Sequence, residues 1–299
     1  MYKDQVSLLL KILPDALKDK RIALKGGTAI NLFLENFPRF SVDIDLCYLP
    51  LKPRDQSLNE IDQIMRDVSQ RLANKYQLLT QVNVSAQGIA KQILVQDKKA
   101  AVKVEINYVL RGCVYEPKIR VLCKKAQSEF KTYAEVQLLS MEDIYAGKFC
   151  AALDRQHPRD LFDVMNFFKH HKFTDKLKDA FLVYLISGNR PIAEMISPHN
   201  LDRRDLYEKE FKGMTAKPVK YQDLEEARRT LIQAVNESLT ETDKQFLLSF
   251  KRGKPLWDLL SIKKAQDMPA IQWKLKNIKK MDPIKHIQAL QYLKTKLNS

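Results

Sequence analysis

Apolar residues return at helical intervals through the first stretch of the chain, at Val6, Leu9, Leu10, Leu13 and Leu17, which predicts a helix over 1–17. A short strand follows over 21–25 and stops at Gly26-Gly27. The pattern then predicts a helix over 28–36 and a strand over 42–49. The stripe Ile61, Ile64, Met65, Val68 and Leu72 predicts a helix over 56–76. Three segments rich in β-branched residues, 78–85, 90–96 and 101–110, read as strands, with Asp97-Lys98-Lys99 as the turn between the last two. Residues 119–123 read as one more strand. After about residue 130 the strand signal fades. Ser140-Met141-Glu142-Asp143 has the form of a capping box, its hydroxyl and carboxylate satisfying free amides at the start of a helix reaching about residue 153. Pro158 suits the first turn of the next helix, through about residue 170. More helices follow, with loops near 187–200, 213–220 and 253–255. The order predicts an α+β chain: a mixed-sheet domain over 1–125, then a mainly helical domain over 126–299. No internal repeat or low-complexity tract is present.

Composition narrows the class. Apolar residues make up 45% and charged residues 29%, which fits a globular chain and not a disordered one. No stretch of about 18 apolar residues exists, so a membrane helix is not expected, and without an export signal the expected compartment is the cytoplasm. The four cysteines, Cys47, Cys113, Cys123 and Cys150, form no metal-binding spacing and read as free thiols. His170-His171 reads as a surface helix end, not a metal site.

Charge points to an anionic partner. The formal net charge is +15, and residues 251–299 hold 12 Lys/Arg against 3 Asp/Glu. That segment reads either as a solvated helix face or as a surface for phosphate backbones. Trp257, Trp273 and Tyr292 lie among its lysines, but their wide spacing reads as core rather than as base-stacking platforms.

Candidate chemistry begins at Gly26-Gly27-Thr28, between a predicted strand and a predicted helix. Such a turn lets backbone amides approach an anion at a helix N-terminus, although any sharp turn here needs glycine. In Ser41-Val42-Asp43-Ile44-Asp45-Leu46, strand geometry puts Asp43 and Asp45 on one face and the apolar residues on the other. Adjacent carboxylates repel. A divalent cation such as Mg²⁺, which prefers hard oxygen ligands, would screen them; an exposed polar face is the plain alternative. Lys103-Val104-Glu105-Ile106-Asn107 repeats the alternation. If this strand neighbours 42–49, Glu105 joins Asp43 and Asp45 in a three-carboxylate cluster, with carboxylates within about 8 Å of one another.

Gly26-Gly27-Thr28, a helix and then Asp43-Ile44-Asp45 resemble the entry motif of the nucleotidyltransferase fold shared with DNA polymerase beta. Within that fold Lys25-Gly26-Gly27-Thr28-Ala29, Arg39, Ser41 and Asp43-Ile44-Asp45-Leu46 resemble the AbiEii/AbiGii (MenT-like) toxin family. Glu142-Asp143-Ile144-Tyr145-Ala146-Gly147-Lys148, then Arg155, then Arg159-Asp160-Leu161-Phe162-Asp163, is similar to that family's second signature. On helices, Lys148, Ala152 and Arg155 share one face, and Asp160 and Asp163 share another.

The resemblance implies a nucleotidyltransferase core, with Lys148 and Asp163 supplied by the helical domain. It places the nucleotide phosphates on Gly26, Gly27, Thr28, Arg39 and Ser41, and Mg²⁺ or Mn²⁺ on Asp43, Asp45 and Glu105. Asp43, Asp45, Lys148 and Asp163 are the implied catalytic set, with Asp163 favoured over Asp160 by motif position. It further implies an NTP substrate, an RNA acceptor (in some relatives the tRNA 3′ end) and growth inhibition countered by a separate antitoxin. Two alternatives stay open: phosphorylation of a protein at the same site, and non-catalytic RNA binding on a degenerate fold. As a surface ion pair, Lys148 would contribute about 0–1 kcal/mol to stability.

Overall fold

The structure, a computed structural model, describes residues 2–298. Met1, which the apolar pattern includes in the first helix, lies outside the described residues. The chain divides into two compact units: Met1–Ile144 with Met214–Ala216, and Tyr145–Gly213 with Lys217–Ser299.

The first unit is built on a seven-stranded mixed sheet. Its elements are α1 (Tyr2–Ala16), β1 (Ile22–Lys25), α2 (Gly26–Ala29), β2 (Asp43–Tyr48), α3 (Arg54–Tyr76), β3 (Leu79–Val84), β4 (Ala90–Gln96), β5 (Ala101–Asn107), β6 (Lys118–Val121), α4 (Lys124–Phe130) and β7 (Glu135–Leu138). The sheet order is β3-β4-β5-β2-β1-β7-β6. β2 runs parallel to β5 and antiparallel to β1, and β7 runs parallel to β1.

Period-two alternation decides which face is core. Ile44, Leu46, Ile93, Val95, Val102 and Val104 are buried on one face. α1 and α3 lie against the sheet, and the Ser69 hydroxyl of α3 bonds Thr80 Oγ1 at 3.0 Å. Thr80 stands opposite Val95 in the register, so α3 covers the apolar face. Burying each such side chain contributes about 1.5–3 kcal/mol. The Asp97 turn closes as its spacing suggests, its Oδ1 accepting from the amides of Lys99 and Ala100.

Two local expectations are corrected and a third is extended. The helix expected over 28–36 starts at Gly26, stays α-helical only to Ala29 and continues as a π turn, Ile30–Leu34. A strand was not expected past residue 130, yet β7 sits between β1 and β6. At the capping box, Ser140 Oγ does accept from the Asp143 amide at 3.0 Å. The Asp143 carboxylate accepts from the Ser140 hydroxyl at 2.6 Å and also from the amides of Val114 (2.6 Å) and Tyr115 (2.9 Å), pinning a distant loop.

The second unit is helical. α5 (Met141–Arg155) enters it, followed by α6 (Pro158–His170), α7 (Asp175–Ser187), α8 (Ile192–Ile196), α9 (Arg204–Leu206), α10 (Tyr221–Ser238), α11 (Glu241–Lys251), α12 (Pro269–Lys279) and α13 (Pro283–Leu297). Its core is aromatic: Phe149 meets Phe167 at 5.1 Å and Phe173 at 5.7 Å, and Tyr145 meets Phe167 at 4.6 Å. Trp257 packs on Phe246 and Phe250. Trp273 and Tyr292, expected in the core, are instead 52% and 39% exposed. Their helices bury other positions, Ile271, Leu275 and Ile278 on α12 and Leu293 and Leu297 on α13. Lys276 Nζ lies 5.9 Å from the Trp273 ring centroid, and Lys296 Nζ lies 5.7 Å from that of Tyr292. The four cysteines form no disulfide, and burial pushes the Cys47 and Cys150 thiols up to about 12. Among the described residues, no helix is long and apolar enough to cross a membrane.

Candidate active site

β1 ends at Lys25, and the chain turns at Gly26 with φ +73°, a left-handed conformation that favours glycine. A Cβ on Gly26 would overlap the Asp45 carboxylate, standing 3.0 Å from its Cγ. A Cβ on Gly27 would lie 2.9 Å from Ser41 Oγ and 3.0 Å from Arg39 Nη2. The two glycines therefore let Arg39, Ser41 and Asp45 close onto bare backbone. Thr28, fully buried, donates its hydroxyl to the Asp43 carbonyl at 2.5 Å and sits 3.0 Å from Ser41 Oγ. Asn31 adds a bond from Nδ2 to the Gly27 carbonyl at 2.9 Å. No motif marked Asn31, a polar residue on an otherwise apolar helix face.

Arg39 is buried and donates to the Phe40 carbonyl at 2.8 Å. Its backbone bridges to Thr215, and the Phe40 amide bonds the Met214 carbonyl. Residues 214–216, expected only as loop, thus brace the segment that carries Arg39.

The strand register brings the acids together. Asp45 stands beside Glu105, and Asp43 beside Lys103, in the parallel β2–β5 pair. Glu105 is therefore on the same sheet face as Asp43 and Asp45. Its Oε1 accepts from the Gln92 amide, while Asp45 leans over Gly26. Adjacent carboxylates repel, and each of these two has turned to its own neighbour. As the side chains stand, no three His, Cys, Asp or Glu among the described residues are grouped to hold a metal ion. The donor chemistry nonetheless suits Mg²⁺ or Mn²⁺: hard carboxylate oxygens, side by side in one register, next to the glycine turn.

The second signature forms a buried charge cluster. Lys148 Nζ lies 2.7 Å from Asp160 Oδ1 and 3.0 Å from Asp163 Oδ2, and Arg155 Nε lies 2.6 Å from Asp160 Oδ2. Lys148 is 7% exposed, and both aspartates are 1% or less. The surface ion pair expected for Lys148 is thus corrected to a buried one. Burial alone would raise the Asp160 carboxyl, but the charges of Lys148 and Arg155 and their hydrogen bonds hold it well below the usual carboxylate range.

Residues 7–277 match the nucleotidyl transferase AbiEii toxin family, of the type IV toxin–antitoxin system. The chain belongs to that family. No protein of curated function matches the chain. Among solved structures, MenT4, the nucleotidyltransferase toxin Rv2826c from Mycobacterium tuberculosis H37Rv, is similar in fold, with a TM-score of 0.59 and 16% identity. The alignment covers 91% of this chain and 93% of that one. This AbiEii-family chain is accordingly a nucleotidyltransferase with an α+β core, and the matched span includes both the glycine–acid motif and the Lys148–Asp163 signature.

Proposed function

We propose that this AbiEii-family enzyme transfers a nucleoside monophosphate from an NTP to an RNA acceptor in a Mg²⁺-dependent reaction. The tRNA 3′ end is the first acceptor to test. The carrying observation is the register that sets Lys25, Asp45 and Glu105 in one row beside a glycine turn closed by Arg39 and Ser41. In this reading Asp43, Asp45 and Glu105 would hold the cation, whose charge would offset that of the triphosphate. Backbone at Gly26, Gly27 and Thr28, with Arg39 and Ser41, seats the phosphates. By resemblance to the family's second signature, Lys148 is proposed for the nucleotide phosphates and Asp163 for the catalytic site. The acceptor hydroxyl attacks the α-phosphorus, the bond to the β-phosphate oxygen breaks, pyrophosphate leaves, and the hydroxyl proton passes to a base. A cognate antitoxin, separately made, restrains the activity in the cell.

The basic segment 251–299 supports RNA as the acceptor, and exposed Trp273 and Tyr292 add flat surfaces among its lysines. The test incubates purified protein with Mg²⁺, total cellular RNA and each NTP labelled at the α- or the γ-phosphate. This reading expects α-label on RNA, lost with EDTA. γ-Label on protein would point to phosphotransfer instead, and no transfer at all to a non-catalytic role.

A further inference from the structure

The acid row does not stop at Glu105. Cα partners continue across five strands, Lys25 to Asp45 to Glu105 to Gln92 to Asn83, from β1 through β2, β5 and β4 to the sheet edge at β3. Asn83 Nδ2 donates to Gln92 Oε1 at 2.7 Å, and Gln92 donates to Glu105, so the row is also a hydrogen-bond chain. A second row, Asp43 to Lys103 to Leu94 to Gln81, runs alongside it on the same face. α3 covers the opposite face. On this one Leu79 is 74% exposed, and Gln81, Gln96 and Lys103 are exposed.

Direction gives the face a meaning. In-line phosphoryl chemistry sets the attacking and leaving oxygens on opposite sides of the reacting phosphorus. If the turn at Gly26, at the β1 end of the row, seats the leaving pyrophosphate, the acceptor enters from the other end, over β5, β4 and β3. Strands β3 and β4 carry no Asp or Glu to repel a polyanion. They present Asn and Gln amides, which offer the donors and acceptors that base edges require, next to the Lys103 ammonium for a phosphate. A folded protein acceptor would call for an apolar patch, and Leu79 alone supplies one exposed apolar side chain here.

We propose that the open face of β3–β5 beyond Glu105 receives the single-stranded end of the RNA acceptor, with Gln81, Asn83 and Lys103 as contact residues and Gln92 positioning Glu105. This rests on the RNA-acceptor reading above. The test uses charge sign at Gln81, which is exposed and two strands away from the nearest acid. Gln81→Glu and Gln81→Lys are compared with the unaltered full-length protein. The probe is a total small-RNA fraction with α-labelled NTP, and the KM for RNA and the KM for NTP are measured separately. Gln81→Glu is expected to raise the RNA KM roughly threefold to tenfold, and Gln81→Lys to lower it and steepen the salt dependence by about one unit of slope. The NTP KM and the melting temperature are expected to stay unchanged. An RNA KM that ignores the sign of the charge, or an NTP KM that moves with it, would overturn this placement and leave transfer to RNA standing. Failure of the unaltered protein to label RNA would overturn both.

Discussion

Gly26 carries two separate demands in one residue. Its φ of +73° disfavours any side chain, and the Asp45 carboxylate occupies the space where a Cβ would go. Gly213 makes the comparison, since it has φ +86° but no atom within 4 Å of where a Cβ would stand. Gly213→Ala is expected to lose about 1–2 kcal/mol, the backbone cost alone. Gly26→Ala is expected to lose more than that in a thermal melt and to lose nucleotide transfer as well, because Asp45 must move. Equal losses in the two variants, with Gly26→Ala still active, would show that the approach of Asp45 to the turn does not matter. The sequence marked this turn correctly as a place needing glycine. It held no sign of Asn31, whose side-chain amide shares the Gly27 carbonyl with the Ile30 backbone amide where the helix turns from α to π.

At the scale of elements, what was legible followed from local periodicity, and what was not followed from pairing between distant segments. The alternation in Asp43–Tyr48 and Ala101–Asn107 was enough to expect two strands, each with its acids on one face, and the β2–β5 register supplies the neighbouring on which the shared face was conditional. β7 has only four residues and becomes a strand through partners on both sides, β1 and β6, so the sequence carries little trace of it. Burial of Lys148 was invisible for the same reason. A Lys one helix away from an Asp-x-x-Asp pattern reads alike on a surface or inside. Its buried position changes the expected effect of mutation. Lys148→Ala leaves Asp160 and Asp163 without their shared cation and is expected to destabilise by about 3–5 kcal/mol in denaturant titration. Lys148→Met with Asp160→Asn and Asp163→Asn removes the charges together and is expected to recover much of that loss while staying inactive. A Lys148→Ala variant as stable as the parent would show that the cluster is not a coupled ion group. The cluster also sets an acid limit. The Asp160 carboxyl is depressed in the folded state, so its contribution is complete above the ordinary carboxyl range near pH 4 and is lost as pH falls toward its folded value. Melting temperature should fall as pH drops below about 4, and Asp160→Asn should flatten that limb.

Across the whole molecule, charge and exposed aromatics bear on the proposed acceptor, and the acid pair bears on the proposed chemistry. Of the net charge of +15, a balance of +9 falls in residues 251–299, where Trp273 and Tyr292 stand exposed beside Lys276 and Lys296. The wide spacing that made them read as core did not reveal which helix face each occupies. RNA affinity is expected to fall steeply with added salt, and Trp273→Ala to weaken it by about 1–3 kcal/mol in a filter-binding or anisotropy titration. Salt-insensitive binding, or a Trp273→Ala variant that binds as tightly, would remove that segment from the acceptor surface. The most direct test of the central claim is α-phosphate transfer by an Asp43→Ala variant, checked first for a cooperative melt within about 0.5 kcal/mol of the parent. The variant should transfer α-labelled nucleotide to RNA about 10²–10³-fold more slowly and should no longer inhibit growth when expressed without antitoxin. A folded Asp43→Ala protein that labels RNA at the parental rate and still arrests growth would show that the acid pair on β2 is not where the transfer occurs.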